Sequence, residues 1–365
     1  MVKSGNSKGF IADYAIIGFG ISGAMIASEL LLRGRSFVVF DAMDQKSASR
    51  VAAGVINPVV YRRFAPVPRA AQYLKKAYLT YRHLEKKLGQ DLLHSISFLK
   101  LFDGLDERHK WQLNAFEPGN EEYMNSHVFE DNFKDSIRND FGAGEILKAG
   151  WLDIPLLLDS FADYLKSRGQ YIDVQIEEDM IDYQNEAIQI CNSSMNVRVK
   201  IMVWSNGIKV NSGSIFGWLP FKNSKGETLE IQSDTLSTNY LFHKGVFVLP
   251  RKGLHYVGAT YNWKDDTLET TEEGKGELIN KLNRFVLKSY QIVSHKAGLR
   301  PATKDRKPFV GAHPELNHTY IFNGMGSRGV LWAPLLAEEL INFIESGTSL
   351  PDGIDIKRYF KHYTK

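Results

Sequence analysis

Three features of this 365-residue sequence predict an α/β fold in which a parallel sheet is assembled from separated stretches of chain, with a mostly antiparallel α+β domain inserted between them. The first is the run Asp13-Tyr-Ala-Ile-Ile-Gly18-Phe-Gly20-Ile-Ser-Gly23, continuing to Ser36-Phe-Val-Val-Phe-Asp41. The second is a glycine turn late in the chain, Asn323-Gly324-Met-Gly326-Ser-Arg328-Gly329, placed between a strand pattern and a helix pattern. The third is the succession of short alternating segments between residues 187 and 260, which reads as sheet without crossover helices.

The N-terminal run justifies itself residue by residue. An apolar strand, Tyr14 to Ile17, feeds Gly18, which permits a tight turn. Gly20 lets the backbone approach a pyrophosphate, and Gly23 lets the following helix pack closely on the strand. Ile21, Met25, Ser28 and Leu32 recur at helical spacing, and Gly34 is a natural helix stop. The free N–H groups of that helix, beginning at Ile21 and Ser22, offer partial positive charge to phosphates. Asp41 lies 18 residues after Gly23, at the end of a second strand, where a carboxylate accepts hydrogen bonds from a ribose. Strand, turn, helix, strand and acid stand in the order of a Rossmann-like dinucleotide-binding βαβ unit.

Beyond Asp41 and Ala42 the chain enters a small-residue loop containing Ser49, Arg50, Ala53 and Gly54. Residues 70–88 read as helix and 96–102 as strand. A second amphipathic helix spans 156–166, ended by Gly169, and a strand covers 171–176. Residues 187–190 and 197–203 suggest an antiparallel meander closing on Gly207. Strands near 228–232, 245–249 and 254–260, then a helix over 272–290, lead to the last strand, turn and helix, which is expected to begin near Ala333 with Pro334 in its first turn. The nucleotide domain is therefore expected at residues 10–92, 150–212 and 300–365, and the inserted domain at 93–149 and 213–299.

Composition bounds the function. With 43% hydrophobic and 24% charged residues and a net charge of +3, nothing in the bulk demands a polyanionic partner. The single cysteine, Cys191, excludes an intrachain disulfide and a cysteine zinc cluster, and the ten histidines show no metal-ligand spacing. The uncharged stretch from Tyr14 to Ser28 is too short to span a bilayer comfortably and is glycine-punctuated, unlike a signal-peptide core. A cytoplasmic protein without a membrane span is the expectation.

The block Gly298-Leu-Arg300-Pro301-Ala-Thr303-Lys-Asp305, together with the two glycine turns in their order and spacing, resembles the D-amino-acid oxidase and glycine oxidase family of flavoproteins over roughly residues 12–345. Gly326-Ser-Arg-Gly329 followed by Ala333-Pro334 is most similar to the flavin domain of the bifunctional tRNA wobble-uridine enzymes. The resemblance implies FAD as cofactor, with Gly18, Gly20, Ile21, Ser22, Gly23, Asp41, Ala42, Ser49, Arg50, Ala53, Gly54, Gly207, Gly324, Gly326, Ser327, Arg328 and Gly329 around it. Independently of the family, a flavin explains a second glycine turn some 300 residues after the first, and the helix behind that turn can aim its dipole at the flavin ring. Relatives that bind flavin covalently do so through a cysteine near the C-terminal segment or a histidine near the N-terminal one. Cys191 lies elsewhere and no histidine falls between Gly20 and Tyr61, so non-covalent FAD is expected.

The family's reaction takes a hydride, two electrons with one proton, from an amine, and loss of a second proton from nitrogen gives the imine. An amino-acid substrate needs a cation for its carboxylate, and the resemblance implies Arg300 in that role, with Arg62 and Tyr256 as further substrate contacts. The principal expectation is oxidation of an amino acid or N-substituted glycine. The alternatives are a tRNA carboxymethyl group or a flavin-binding protein without turnover. Residues 60–87, with eight Lys or Arg against Glu85 alone, are the feature that would suit tRNA.

Overall fold

The computed structural model describes residues 10–42, 46–131, 133, 136–184, 187–212 and 215–363. In chain order the first elements are β1 (Phe10–Ile17), α1 (Ile21–Leu32), β2 (Phe37–Phe40), α2 (Ala48–Val51), β3 (Val55–Ile56), β4 (Val59–Val60), β5 (Ala65–Pro66) and α3 (Ala70–Leu88). They are followed by β6 (Leu93–Ser95), β7 (Ser97–Leu101), α4 (Leu105–Ala115), β8 (Met124–Phe129), β9 (Ala143–Ile146), β10 (Gly150–Leu152) and α5 (Ile154–Ser167). Next come β11 (Tyr171–Ile172), β12 (Ile181–Gln184), β13 (Ala187–Asn192), β14 (Met195–Trp204), β15 (Ser224–Gln232), β16 (Tyr240–His243), β17 (Phe247–Arg251) and β18 (Leu254–Gly258). The chain closes with α6 (Glu272–Asn283), β19 (Gln291–Arg300), β20 (Phe309–Ala312), β21 (Thr319–Asn323) and α7 (Gly329–Ser346).

These elements form two compact units. The first comprises residues up to Arg50, Pro155–Asn223 and Arg300 onward; the second comprises Val51–Ile154 and Ser224–Leu299. The first unit is built on a sheet ordered β11-β2-β1-β14-β13-β12, with β21 beside β14 and β20 beside β21. Its centre is parallel: β1 pairs with β2 and β14, β2 with β11, and β14 with β21. β14 is long enough to serve two neighbours on one edge. Its first half holds β13 in an antiparallel meander, and its end, from Met202, holds β21. Ala15, Val38, Phe40, Met202, Phe309 and Ile321 are fully or almost fully buried in one core cluster, as parallel strands covered on both faces must be.

The second unit carries an eight-stranded sheet ordered β19-β15-β18-β17-β16-β7-β9-β8, whose pairs from β15 to β8 are antiparallel except where β16 runs beside β7. Leu99, Leu229, Val257 and Phe242 from the sheet meet Leu278, Leu282 and Phe285 from α6 and its end in the unit's core. On β9, Gly144 lies under the Trp111 indole of α4, where a Cβ would come within 2.2 Å of the ring.

Residues 51–92 fall in the second unit, not the first as the sequence suggested. The reason is pairing: β3 and β6 both zip onto β10, and β4 closes on β5 as a hairpin. Residues 150–154 follow β10 into the same unit, while those described from 215 to 223 belong to the first. Two elements are shorter than expected: β11 keeps only Tyr171–Ile172 of the 171–176 strand, and α6 ends at Asn283.

Candidate cofactor and substrate site

The first glycine turn sits at the carboxyl ends of β1 and β14. Gly18 takes φ +96°, and a Cβ on it would lie 2.7 Å from the Asn206 Cα and the Ser205 carbonyl oxygen. A Cβ on Gly23 would lie 2.0 Å from the Gly18 carbonyl oxygen, so helix and turn touch backbone to backbone. Gly20 differs, since a Cβ there would meet only Ser49, its Oγ at 3.0 Å. α1 has no side-chain cap of its own at Gly20; the Ile21 N–H donates instead to Ser49 Oγ at 3.0 Å. The structure thus brings Ser49 to the helix N-terminus and leaves Gly20 facing open space beyond it.

Asp41 stands directly after β2. Its Oδ1 accepts from the Phe19 N–H at 3.0 Å and its Oδ2 from the Tyr171 hydroxyl at 3.0 Å. The carboxylate therefore holds the turn and the third parallel strand together. Ala42 follows it on the surface, and Arg50 pairs with Asp159 of α5 at 2.7 Å. At the end of β14, Ser205 Oγ and Asn206 Oδ1 are buried without a hydrogen-bond partner among the described residues, right beside the turn.

The second glycine turn packs on the block ahead of it. Gly326 N–H donates to the Pro301 carbonyl at 3.1 Å, and a Cβ on Gly324 would meet Thr303 Cγ2 at 2.7 Å. Asn323 spans to the first turn's neighbourhood, its Nδ2 donating to the Gly207 carbonyl at 2.9 Å. α7 begins at Gly329, four residues earlier than expected, with Arg328 at its N-cap. Pro334 is consequently beyond the first turn and removes one intrahelical donor. Gly329 faces α1, a Cβ there falling 2.9 Å from Ile21. Both helix N-termini, α1 and α7, are free of acidic side chains in their first turns. Ser327 is exposed and Arg328 half-buried, its guanidinium 5.9 Å from the Trp332 ring centroid.

Arg300 ends β19, half-buried, immediately before this block. Asp305, five residues on, is engaged by Arg358 at 2.9 Å. Burial raises the Asp305 carboxyl, yet hydrogen bonds from Arg358 and the Lys307 N–H leave it below the usual carboxylate range. Arg358 lies near the C-terminus, and no local pattern marks it as the partner of this loop.

Two of the expected substrate residues, Arg62 and Tyr256, lie in the second unit. Arg62 is exposed in the turn of the β4–β5 hairpin, where its carbonyl accepts from Lys110. Tyr256 is buried on β18 and its hydroxyl donates to the Val51 carbonyl. Its neighbour His255 is buried as well. Ala53 is buried, and Gly54 is explained by packing: it takes φ +76°, and a Cβ would fall 1.9 Å from the Leu152 carbonyl oxygen. Sequence reasoning also passed over His243, which stacks on Tyr61 with centroids 4.1 Å apart. Burial, and then the nearby Lys100 charge, push its pKa down to about 3, so the ring is neutral.

A parallel sheet with two glycine turns and two helix N-termini at its carboxyl ends, and an acid after the second strand, defines a dinucleotide-binding α/β protein. The chain belongs to the FAD dependent oxidoreductase (DAO) family, whose model matches residues 13–342. It is 28% identical to glycine oxidase of Bacillus licheniformis over 91% of this chain and 92% of that protein. It is 25% identical to the tRNA 5-methylaminomethyl-2-thiouridine biosynthesis bifunctional protein of Idiomarina loihiensis, over 89% of this chain but 54% of that longer protein. Among solved structures, glycine oxidase from Geobacillus kaustophilus superposes with a TM-score of 0.79 at 20% identity, covering 96% of this chain and 98% of that one.

The protein is therefore an FAD-dependent oxidoreductase, and the residues present fit that cofactor. The Gly20 position is open on its outer side, the Asp41 carboxylate is fixed beside the turn, and buried polar atoms of Ser205 and Asn206 await partners there. Among the described residues no cluster of His, Cys, Asp and Glu could hold a metal, and no helix is long and apolar enough to cross a membrane.

Proposed function

We propose that this protein oxidises the C–N bond of an amino acid or N-substituted glycine, giving an imine that hydrolyses. The observation that carries this reading is the similarity to a glycine oxidase across nine-tenths of both chains. Bound FAD supplies the acceptor for the hydride that the substrate carbon gives up. The protein's own residues bind and orient. The turn at Gly18–Gly23 and the α1 N-terminus hold the pyrophosphate with Ser49, and Asp41 takes the adenosine ribose. Gly324–Gly329 and the α7 N-terminus would hold the flavin ring non-covalently, and the helix and Arg328 would favour negative charge there. Arg300 binds the substrate carboxylate as a bidentate cation, which also favours the neutral amine's orientation for transfer.

The test is anaerobic. The purified protein is expected to show flavin absorption near ~450 nm, bleached on adding glycine, sarcosine or a D-amino acid. A flavin band that no small amino acid bleaches would overturn the reading.

The bifunctional relative supports a second reading, a tRNA-borne substituted glycine, through one feature of the surface. α3 turns Lys75, Arg82, Lys86 and Lys87 to solvent, while its acid, Glu85, is engaged by Arg82 and by the Leu92 and Leu93 N–H groups. Salt-dependent binding of tRNA, lost in Lys75→Glu with Lys86→Glu, would favour it; no retention at low salt would end it.

A further inference from the structure

The acid after the second strand is the least surprising part of this site; the structure shows how it is held. Tyr171 lies on β11, whose register sets it beside Val39 of β2. Residues opposite one another in a parallel pair share a face, and side chains two apart along a strand do too, so Tyr171, Val39 and Asp41 point to the same side of the sheet. The Asp41 N–H extends this pairing by donating to the Ile172 carbonyl at 3.2 Å.

The ring of Tyr171 is fixed from several directions. It meets Phe19 edge-on with centroids 5.4 Å apart, Phe19 in turn packs on Phe161, and the Lys166 ammonium stands 5.1 Å from its centroid. Only 7% of the residue is exposed. From this position the hydroxyl donates to Asp41 Oδ2, while the Phe19 N–H of the glycine turn donates to Oδ1.

We propose that Tyr171 is a positioning residue for the adenosine half of FAD: its hydroxyl fixes the Asp41 carboxylate in the orientation that accepts the ribose diol. A carboxylate oxygen accepts two hydrogen bonds, so an internal bond to each oxygen orients the group without exhausting its capacity. Holding the rotamer before the ligand arrives spares its entropy on binding. Burial, and then the charge of Asp41, raise the phenol's pKa far above its ordinary value, so Tyr171 remains a donor throughout the working range of the enzyme.

The inference rests on Asp41 as the ribose acceptor, and the experiment separates the two. FAD affinity of the full-length holoprotein is read from the fluorescence of cofactor released on dilution. Tyr171→Phe keeps the ring and is expected to weaken FAD binding about fivefold to twentyfold, the loss of one charge-assisted bond acting at second hand. In an Asp41→Asn background the same substitution is expected to add less than about twofold, because the residue works through Asp41. ADP is expected to displace FAD better than 2′,3′-dideoxy-ADP, and Tyr171→Phe to shrink that preference, which a purely structural loss would not do. Tyr171→His, which returns a ring N–H, should recover part of the affinity and serves as the readout if the phenylalanine variant does not fold. If Tyr171→Phe leaves affinity unchanged while Asp41→Asn weakens it, the role of Tyr171 is wrong and the ribose reading stands. If neither changes it, the ribose reading falls and takes this inference with it. A full effect of Tyr171→Phe without Asp41 would also overturn it.

Discussion

Gly20 and Gly23 lie three residues apart in one turn, yet they are glycine for different reasons, and substitution tells them apart. A methyl on Gly23 would stand 2.0 Å from a backbone oxygen that cannot move without breaking the contact of helix with strand. A methyl on Gly20 meets only the Ser49 hydroxyl at 3.0 Å, which gives by a few tenths of an ångström. Gly23→Ala is therefore expected to destabilise the fold by several kcal/mol, of order 3, seen as a large drop in Tm. Gly20→Val is expected to keep secondary structure and purify colourless, because its side chain occupies the pyrophosphate's approach. A yellow Gly20→Val protein would remove the turn from the cofactor site. Arg300 gives the second residue-scale prediction. Arg300→Ala should raise KM for a carboxylate substrate by about tenfold to a hundredfold, the worth of a charge-assisted pair, while FAD remains bound. An unchanged KM would take the substrate carboxylate elsewhere.

Between elements, the packing of α1 on α7 ends in a cluster of charges on one carboxylate. Glu345 accepts from Arg35 at 2.7 Å, Arg33 at 3.1 Å and Tyr14 at 3.0 Å, and Arg33 also holds Glu29 and Asn342. Burial raises the Glu345 carboxyl, but the bonds from Arg35, Arg33 and Tyr14 together leave it below the ordinary value. A depressed folded-state pKa stabilises the fold at pH values above the unfolded carboxylate's, and that contribution disappears as pH falls through the folded value. Glu345→Gln is expected to cost about 1 kcal/mol at pH 7, with the difference in stability closing below about pH 4; denaturant unfolding at both pH values measures it. A gap that persists in acid would mean the side chain acts by shape.

The βαβ unit was legible because its signals are local: turn conformations, a 3.6-residue stripe and a strand-end acid all lie within thirty residues. α3 was legible for the same reason, matching residues 70–88 at both ends. What the sequence hid is set by partners far along the chain. Nothing near residue 55 says that β3 will pair with β10 almost a hundred residues later, and that pairing assigns residues 51–92 to the second unit. Tyr171 and Arg358 look like any surface tyrosine and arginine until the fold sets them against Asp41 and Asp305. α7 was misread at its start because Pro334 suggested an N-terminus, whereas the helix tolerates it one turn further in.

At the scale of the whole molecule, the two units have separate cores, and the proposed cofactor contacts fall mostly in one of them. Gly18–Gly23, Asp41 and Ser49, proposed for the pyrophosphate and ribose, belong to the first unit, whereas Ala53 and Gly54, also expected around FAD, belong to the second, which is stabilised by its own buried network. There the wholly buried Lys225 meets Asp265 at 2.6 Å and Thr267 at 3.0 Å, and Glu227 binds the Thr271 N–H and hydroxyl at 2.9 and 2.7 Å. Removing one partner of such a pair strands the others, so Lys225→Ala is expected to destabilise by about 3 kcal/mol. FAD should act on the other side of this division. A ligand that binds only the folded form stabilises it by mass action, about 2.7 kcal/mol at a free concentration one hundred times Kd. Calorimetry of the protein with and without excess FAD is therefore expected to raise the transition of the first unit most, and hydrogen exchange to slow first in β1, α1 and β2. Lys225→Ala should lower the transition of the second unit while leaving the FAD-dependent shift of the first in place. If FAD instead protects both units equally and the Lys225→Ala protein loses that shift, the two cores unfold as one, and the cofactor's binding energy is shared across the whole chain.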